Sequence, residues 1–342
     1  MPGPTSSTWG WGHESRFYAG EDTRQNAPKG LLSGPEDPIE GMLLAFDPEL
    51  PQRVKRAFKQ WNLILRDYLR NETALRLSVG EEAQTVAVQI ADGLPRPLDS
   101  ALSGCEAEVW LLLHRPPIEK AYEGLLAVEG GWEKPLPVWA PKLGDIPTLN
   151  EVSRTREYLG RLALLAQSLE LLERLKKINE DVLGAYFSRA PRPRIELYWM
   201  SIGLFAATVG VSPEALTVVV AAHELAHAYT HLGRDIDNNR WDTGAFARSD
   251  LALVEGLAQF YTQVICDQLK PRMPEARVAF DGLLALQTPA YHAHKDWAKD
   301  HRNAGEIVRV SMIQARATGV TAYADFEGVL EAQGKSLSGP AK

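Results

Sequence analysis

Apolar residues in the first half of the chain recur at two different periods. Between residues 52 and 70 they are spaced by alternating steps of four and three, which predicts an amphipathic helix. Residues 73–79 and 86–90 alternate with a period of two on either side of a Gly-Glu-Glu break, which predicts a β-hairpin. The same alternation over residues 109–113 predicts a further strand, so residues 41–129 read as a small α+β module.

The second half of the chain, residues 148–336, has a mostly helical pattern. A capping box at Thr148–Glu151 precedes a stripe of apolar residues, which predicts one long helix with a core-facing side. The stripe consists of Tyr158, Leu162, Leu165, Leu169, Leu172 and Leu175. Residues 195–200 predict a strand, and the pattern after residue 255 is helical to the end. We therefore predict an α+β fold that is mostly helical and has a small sheet.

Two segments are rich in residues that do not favour regular structure. Residues 1–40 contain many glycines, prolines and serines, so we expect a flexible N-terminal segment. Residues 130–147 combine several prolines and glycines, which is typical of a linker between the two halves.

A run of apolar residues between 211 and 232 predicts a buried helix that carries polar groups. Ser212-Pro213-Glu214 is a strong start, because serine caps, proline fits the first turn and glutamate complements the helix dipole. Gly233 follows the run, where we expect a left-handed residue to end the helix. The second half of this helix contains His223, Glu224 and His227.

These three residues form the motif His-Glu-x-x-His. Two histidines four residues apart lie one turn apart on the same helix face, where both imidazoles can reach one tetrahedral zinc ion. Glu224 stands beside them and can act on a metal-bound water. The alternative is a pair of hydrogen-bonded core histidines, but burying two histidines and a glutamate without a partner is costly.

A catalytic zinc needs a third protein ligand, and Glu255 is the best choice in the sequence. It lies in the apolar segment Leu253-Val-Glu-Gly-Leu-Ala-Gln-Phe-Tyr261, which also reads as a buried helix. A buried carboxylate is seldom left without a partner. The alternative partner for Glu255 is an arginine such as Arg240 or Arg248.

His-Glu-Leu-Ala-His followed by Glu-Gly-Leu-Ala-Gln-Phe-Tyr resembles the gluzincin metallopeptidases, in particular the group with a peptidase-MA-like domain. The resemblance covers about residues 195–270 and implies a zincin-like metallopeptidase domain in the second half of the chain. It implies Zn²⁺ bound by His223, His227 and Glu255, with Glu224 as general base. It also implies an edge strand near the metal helix that binds substrate backbone, for which 195–200 is the natural segment.

Three further polar residues near the motif are expected to support the metal site from outside. His231 continues the four-residue spacing, but it lies about 80° around the helix from His223 and about 12 Å along it, too far for the same ion. We expect it at the surface or in contact with a ligand. Asp235 and Asp237 lie in a polar loop and could orient a ligand imidazole.

The residue that would stabilise the oxyanion is not fixed by any motif. Tyr291 and His294 are possible donors, with Tyr261 as an alternative. Because Lys295 and Asp296 adjoin the first two, a solvated surface segment is the favoured interpretation of that cluster.

Composition narrows the classes of function. The chain has 342 residues, 45% of them apolar, and a formal charge of −7, so we expect no nucleic-acid binding. Cys105 and Cys266 fit no metal spacing. The N-terminus lacks the pattern of a signal peptide and no apolar run has membrane-spanning length, so we expect a cytoplasmic protein.

Three functional hypotheses follow. The first is zinc-dependent hydrolysis of peptide bonds, with a peptide or protein as substrate and Glu224 as base. The second is a catalytically silent zinc-binding scaffold or binding module. This hypothesis is supported by the lack of an identified oxyanion donor. The third is a protease similar to the SprT-like group, which acts on DNA-associated protein and uses a downstream histidine as third ligand; no histidine occurs between His231 and His292.

Overall fold

The structure is a computed structural model, and it confirms a mostly helical α+β fold with a small sheet. The residues it describes are 37–77, 86–131, 149–176, 182–188, 192–297 and 303–337. The expected N-terminal flexible segment and the 130–147 linker therefore lie almost wholly outside the described residues.

The predicted amphipathic helix near the N-terminus is present. A short helix, α1 (Pro38–Phe46), leads into α2 (Leu50–Thr73). Val54, Trp61 and Leu65 are buried on one side of α2, as the alternating spacing requires. This side packs against the helix that carries the histidine motif.

The predicted β-hairpin is wrong in its pairing. Thr73 still belongs to α2, and Arg76 forms an isolated antiparallel bridge with Arg234 rather than pairing with the second arm. The second arm is strand β1 (Ala87–Ala91), which pairs in parallel with a strand more than a hundred residues later. Alternation identifies an extended segment but not its partner, and residues 78–85 lie outside the described part of the chain.

The strand predicted over residues 109–113 is a helix. A short helix, α3 (Arg96–Leu102), is followed by α4 (Glu106–Gly131), and Pro116 and Pro117 lie inside α4. Val109, Leu112 and Leu113 are buried together. Their spacing of three and four also suits a helix, and that period prevails over the alternation of 109, 111 and 113.

The single long helix predicted after Thr148 is interrupted. Helix α5 (Leu149–Gln167) ends before Ser168, and α6 (Glu170–Lys176) follows. Tyr158 and Leu165, assigned to the core-facing stripe, are 68% and 53% exposed, and the buried side of α5 is formed by Val152, Ala163 and Ala166. Helix α5 packs on α4, where a Cβ at Gly160 would lie 3.1 Å from the Tyr122 ring. Of the predicted stripe, Leu169 and Leu175 are buried.

Within the described parts of the chain the sheet has three strands in the order β1-β3-β2. Strand β2 (Gly184–Phe187) is antiparallel to β3 (Arg194–Tyr198), and β1 is parallel to β3. The strand predicted over 195–200 is therefore confirmed, although it ends at Tyr198. Its expected position at an edge is wrong, because β3 is the central strand and β2 forms the edge that contacts the motif helix.

Two helices that meet at a sharp bend lie in the core. Helix α7 (Trp199–Val209) and helix α8 (Pro213–Leu232) meet at 117°, and α8 is buried from Ala215 to Leu232. Ser212 caps α8 as predicted, since its Oγ accepts a hydrogen bond of 3.2 Å from the Ala215 amide. Among the described residues no single helix is both long enough and apolar enough to cross a membrane. Helices α7 and α8 meet these two criteria only when they are counted together across the bend between them.

Gly233 ends α8 without the left-handed conformation predicted for it. Its φ is −59° and its ψ is 138°, both ordinary values for other residues. The reason for glycine is space, because a Cβ here would lie 2.3 Å from the Tyr229 carbonyl oxygen and 2.8 Å from Leu75 Cβ.

The described residues after α8 are helical to Leu337, as the pattern predicted. The helices are α9 (Thr243–Arg248), α10 (Leu251–Leu269), α11 (Glu275–Leu284), a 3₁₀ helix (Pro289–Asp296), α12 (Ala304–Thr318) and α13 (Tyr323–Leu337). One hydrophobic core runs from Ile39 to Leu330. It therefore crosses the boundary expected between the two halves, and the division into two modules stays a prediction.

Candidate metal centre

Helices α8 and α10 bring the three predicted ligands together. His223 and His227 are one turn apart on α8, and their Nε2 atoms are 3.1 Å apart. Glu255 lies in the second turn of α10, and its Oε2 is 3.2 Å from His223 Nε2 and 3.5 Å from His227 Nε2. The predicted convergence of these side chains on one point is present.

The distances between the three atoms fit a tetrahedral metal ion. Zinc binds imidazole nitrogen and carboxylate oxygen at about 2.0–2.2 Å, which places tetrahedral ligand atoms about 3.3 Å from one another. The three observed separations, 3.1, 3.2 and 3.5 Å, lie on both sides of this value. Each of the three residues offers one ligand atom from a buried side chain, which leaves the fourth position for water or substrate.

The partners of Glu255 are the two histidines of α8. Its ion-pair contacts are with His223 and His227, not with Arg240 or Arg248. Burial opposes the ionised carboxylate, but the charges and hydrogen bonds of His227 and His223 outweigh burial and hold the pKa of Glu255 below its usual value. The carboxylate is therefore kept in the anionic form that binds a metal.

Glu224 is buried on α8 beside the ligand pair and directly beneath strand β2. Gly184, the first residue of β2, lies so close that an added Cβ would be 2.8 Å from Glu224 Cγ and 3.0 Å from its Oε1. No larger side chain fits at this position unless Glu224 or β2 shifts. The backbone of the edge strand thus forms one wall around the Glu224 carboxylate.

A cavity opens at the same point. About 70 Å³ of it can hold the centres of water-sized atoms. His223, Glu224 and Tyr291 line its polar end, and the remaining walls are mostly apolar. This combination of a large apolar cavity with a few convergent polar groups is the usual form of a small-molecule or peptide site.

The cluster around Tyr291 is not the solvated segment that was favoured. Tyr291 and His294 are buried in the 3₁₀ helix. The Tyr291 ring lies nearly parallel to that of His223, with 6.1 Å between centroids, and it lines the cavity. Lys295 and Asp296 are charged, but the 3₁₀ helix packs tightly on α10. At Gly256 of α10, a Cβ would lie 3.4 Å from Ala293 of the 3₁₀ helix and 2.7 Å from Trp297, which follows it.

The other two possible oxyanion donors lie elsewhere. The His294 nitrogens are 2.9 Å from the Tyr291 carbonyl oxygen and 3.0 Å from Gln263 Oε1, and burial lowers the pKa of His294 to about 4. The hydroxyl of Tyr261 donates to Met312 Sδ at 3.7 Å, and burial raises the pKa of Tyr261. Neither lines the cavity described here, whereas Tyr291 does.

The hydrogen bonds described for His231 and Asp235, two of the three residues expected to support the site, go to residues other than the ligands. His231 is fully buried between Tyr186 and Thr243 rather than at the surface. Asp235 accepts hydrogen bonds from the amides of Asp237 and Asn239, at 3.0 and 2.8 Å, which makes a local turn. This loop is polar as predicted, but the contacts described for the aspartates are within it.

Strand β2 and the apolar residues that line the cavity were not predicted from the sequence. The short run Gly184-Ala-Tyr-Phe187 carries a strand signal, but it is only four residues long and follows a helix. The cavity walls come from elements far apart in sequence, so no local pattern could have joined them.

Comparison of the chain with models of protein families, with curated proteins and with solved structures found no match.

Proposed function

We propose that the protein is a zinc-dependent metallopeptidase of the gluzincin type. The observation that carries the proposal is the convergence of His223, His227 and Glu255 on one point, beside Glu224 and at the end of a cavity. A metal site that only stabilised the fold would need neither the Glu224 carboxylate beside the ligands nor a cavity next to an open coordination position. The third group in the cluster is a glutamate rather than a histidine, which favours this class over the SprT-like alternative.

Each residue of the site has a role in peptide hydrolysis. His223, His227 and Glu255 would hold the zinc, which would supply a Lewis acid that makes water acidic near neutral pH. Glu224 accepts the proton of the attacking water and then donates it to the nitrogen of the leaving amine. Its burial beneath β2 limits the positions that its carboxylate can take, which favours transfer at a fixed point.

Tyr291 is proposed as the oxyanion donor. It is buried, it lines the cavity, and it lies beside the His223 ring on the side open to the cavity. A phenol donates a hydrogen bond to an oxyanion without changing its own charge.

Strand β2 is proposed to hold the substrate backbone. It forms one edge of the sheet, and its first residue, Gly184, lies against Glu224. An extended peptide that adds to this edge would bring its backbone past the carboxylate. The resemblance to gluzincins implies such an edge strand, and the structure offers β2 for it rather than β3.

The experiment is peptide cleavage by the zinc-loaded protein and its Glu224→Gln variant. Glutamine has nearly the same size but cannot accept the proton, so we expect cleavage to fall by at least about 10²-fold while one zinc per chain is retained. A zinc-loaded wild-type protein that cleaves no bond in a broad peptide mixture would instead support the silent scaffold. Turnover retained by Glu224→Gln would remove Glu224 from its role.

A further inference from the structure

We infer that the cavity next to Glu224 receives one large apolar side chain of the substrate, from a residue directly flanking the bond that is cleaved. The substrates would then be peptides with leucine, phenylalanine or methionine at that position. The inference rests on the proposed peptidase function and adds the class of substrate.

The cavity starts at the catalytic residues. Val219 and Val220 line it, and they lie one turn before His223 and Glu224 on α8. A side chain that enters beneath Glu224 therefore belongs to a residue whose backbone passes the carboxylate. Such a residue is next to the bond under attack.

The walls come from separate elements and are apolar. Leu183 precedes β2, Phe205 lies on α7, and Phe280 and Leu283 lie on α11. Apolar side chains gain free energy in proportion to the surface that such walls remove from water. About 70 Å³ of the cavity can hold the centres of water-sized atoms, which is room for roughly five groups of that size and is comparable with the four carbon atoms of a leucine side chain.

Among the described residues that line this cavity, none outside the catalytic site carries a charge that could pair with a charged substrate side chain. Among the described residues that line it, Glu224 is the only one that bears a full charge when ionised, apart from a protonated His223, and both belong to the catalytic site. A buried lysine or aspartate side chain without a partner is strongly disfavoured.

The side chains of three polar lining residues, Gln259, Thr262 and Gln287, bond to the protein itself. Gln259 Nε2 donates to Gln287 Oε1 at 2.8 Å, and Thr262 Oγ1 donates to the Ala258 carbonyl oxygen at 2.7 Å. These groups do not require a polar ligand, so the cavity selects by size and apolar surface.

Binding tests this inference without turnover. The zinc-loaded Glu224→Gln protein is titrated calorimetrically with capped pentapeptides Gly-Gly-X-Gly-Gly, in which X is leucine, phenylalanine, glycine or aspartate. We expect the leucine and phenylalanine peptides to bind at least about tenfold more tightly than the glycine peptide, and the aspartate peptide to bind most weakly. Equal affinity for all four peptides, or tightest binding of the aspartate peptide, would overturn the inference.

A matched pair of variants locates the pocket. Leu283→Ala enlarges the cavity, so the ratio of phenylalanine to leucine affinity should rise about tenfold. Leu284→Ala removes a buried leucine from the same helix that does not line the cavity, so its ratio should match that of the parent protein. An equal change in both variants, or in neither, would place the bound side chain elsewhere; Leu283→Met serves in place of a Leu283→Ala protein that does not fold.

Cleavage of longer peptides by the wild-type protein separates this inference from the proposed function. Products that begin or end at large apolar residues support both. Cleavage without preference for apolar residues overturns the pocket and leaves the peptidase. Absence of all cleavage, with the leucine and phenylalanine preference intact in binding, overturns the peptidase and supports the apolar pocket.

Discussion

His231 provides a pH-dependent test of the packing around α8. The imidazole is fully buried, with Nδ1 3.0 Å from the Tyr186 hydroxyl and Nε2 3.1 Å from Thr243 Oγ1, and it stacks on Phe246 at 4.3 Å. Burial lowers its pKa to about 3, and the nearby Arg240 and Arg316 act in the same direction, against a smaller opposing effect of Asp242. The histidine is therefore neutral in the folded protein near pH 7.

The sign of the effect on stability follows from this pKa. The unfolded chain binds a proton at His231 below about pH 6.5, whereas the folded protein does not until about pH 3. The stabilisation is therefore fully present above pH 6.5 and is lost as the pH falls toward 3. At 1.36 kcal/mol per pH unit, His231 alone should lower the free energy of unfolding by about 3 kcal/mol between pH 7.5 and pH 4.5.

The assay is urea unfolding of the metal-free protein, in the presence of a chelator, at pH 7.5 and 4.5. The free energy of unfolding of the wild-type protein should fall by about 3 kcal/mol more than that of His231→Gln, which cannot titrate at this position. His114→Gln, which replaces a histidine on α4, is the control. Its free energy of unfolding should fall by as much as that of the wild type. Equal losses in the wild type and His231→Gln would refute a neutral, buried His231.

Two further predictions concern the reacting groups. Tyr291→Phe removes the proposed oxyanion donor, so kcat for peptide cleavage should fall by about 10²–10³-fold with little change in KM, while the exposed Tyr158→Phe should change neither. A KM effect alone would contradict that role. Gly184→Ala places a Cβ 2.8 Å from Glu224 Cγ, so kcat/KM should fall by up to about hundredfold with zinc content unchanged. Gly328→Ala on α13, where a Cβ meets nothing within 4 Å, is its control. Unchanged kcat/KM in Gly184→Ala would show that the contact does not hold Glu224.

The sequence was most informative where local geometry determines position. The four-residue spacing of His223 and His227 fixes them on one face of a helix, and Glu255 could be paired with them because an acid in an apolar helix needs a partner. The same helical geometry predicted that His231 lies too far away to bind the same ion, and its ring nitrogens lie next to Tyr186 and Thr243. It could not show that His231 is buried, since that depends on Tyr186 and Phe246 from other elements.

Pairing and packing between distant segments could not be read from the pattern. The alternation at 86–90 identified β1, but its partner β3 lies more than a hundred residues away. The alternation at 109–113 also fits a helix, and only the buried contacts of α4 decide between the two periods. Tyr291 was assigned to a solvated segment from its charged neighbours, whereas packing of the 3₁₀ helix against Gly256 buries it.

The central claim is that three side chains from two helices bind one zinc ion. Crystals of the zinc-loaded protein, with anomalous data collected at the zinc edge, test it most directly. We predict one anomalous peak at about 2.0–2.2 Å from His223 Nε2, His227 Nε2 and a carboxylate oxygen of Glu255. A peak elsewhere, or none at this cluster when zinc is in excess, would contradict the claim.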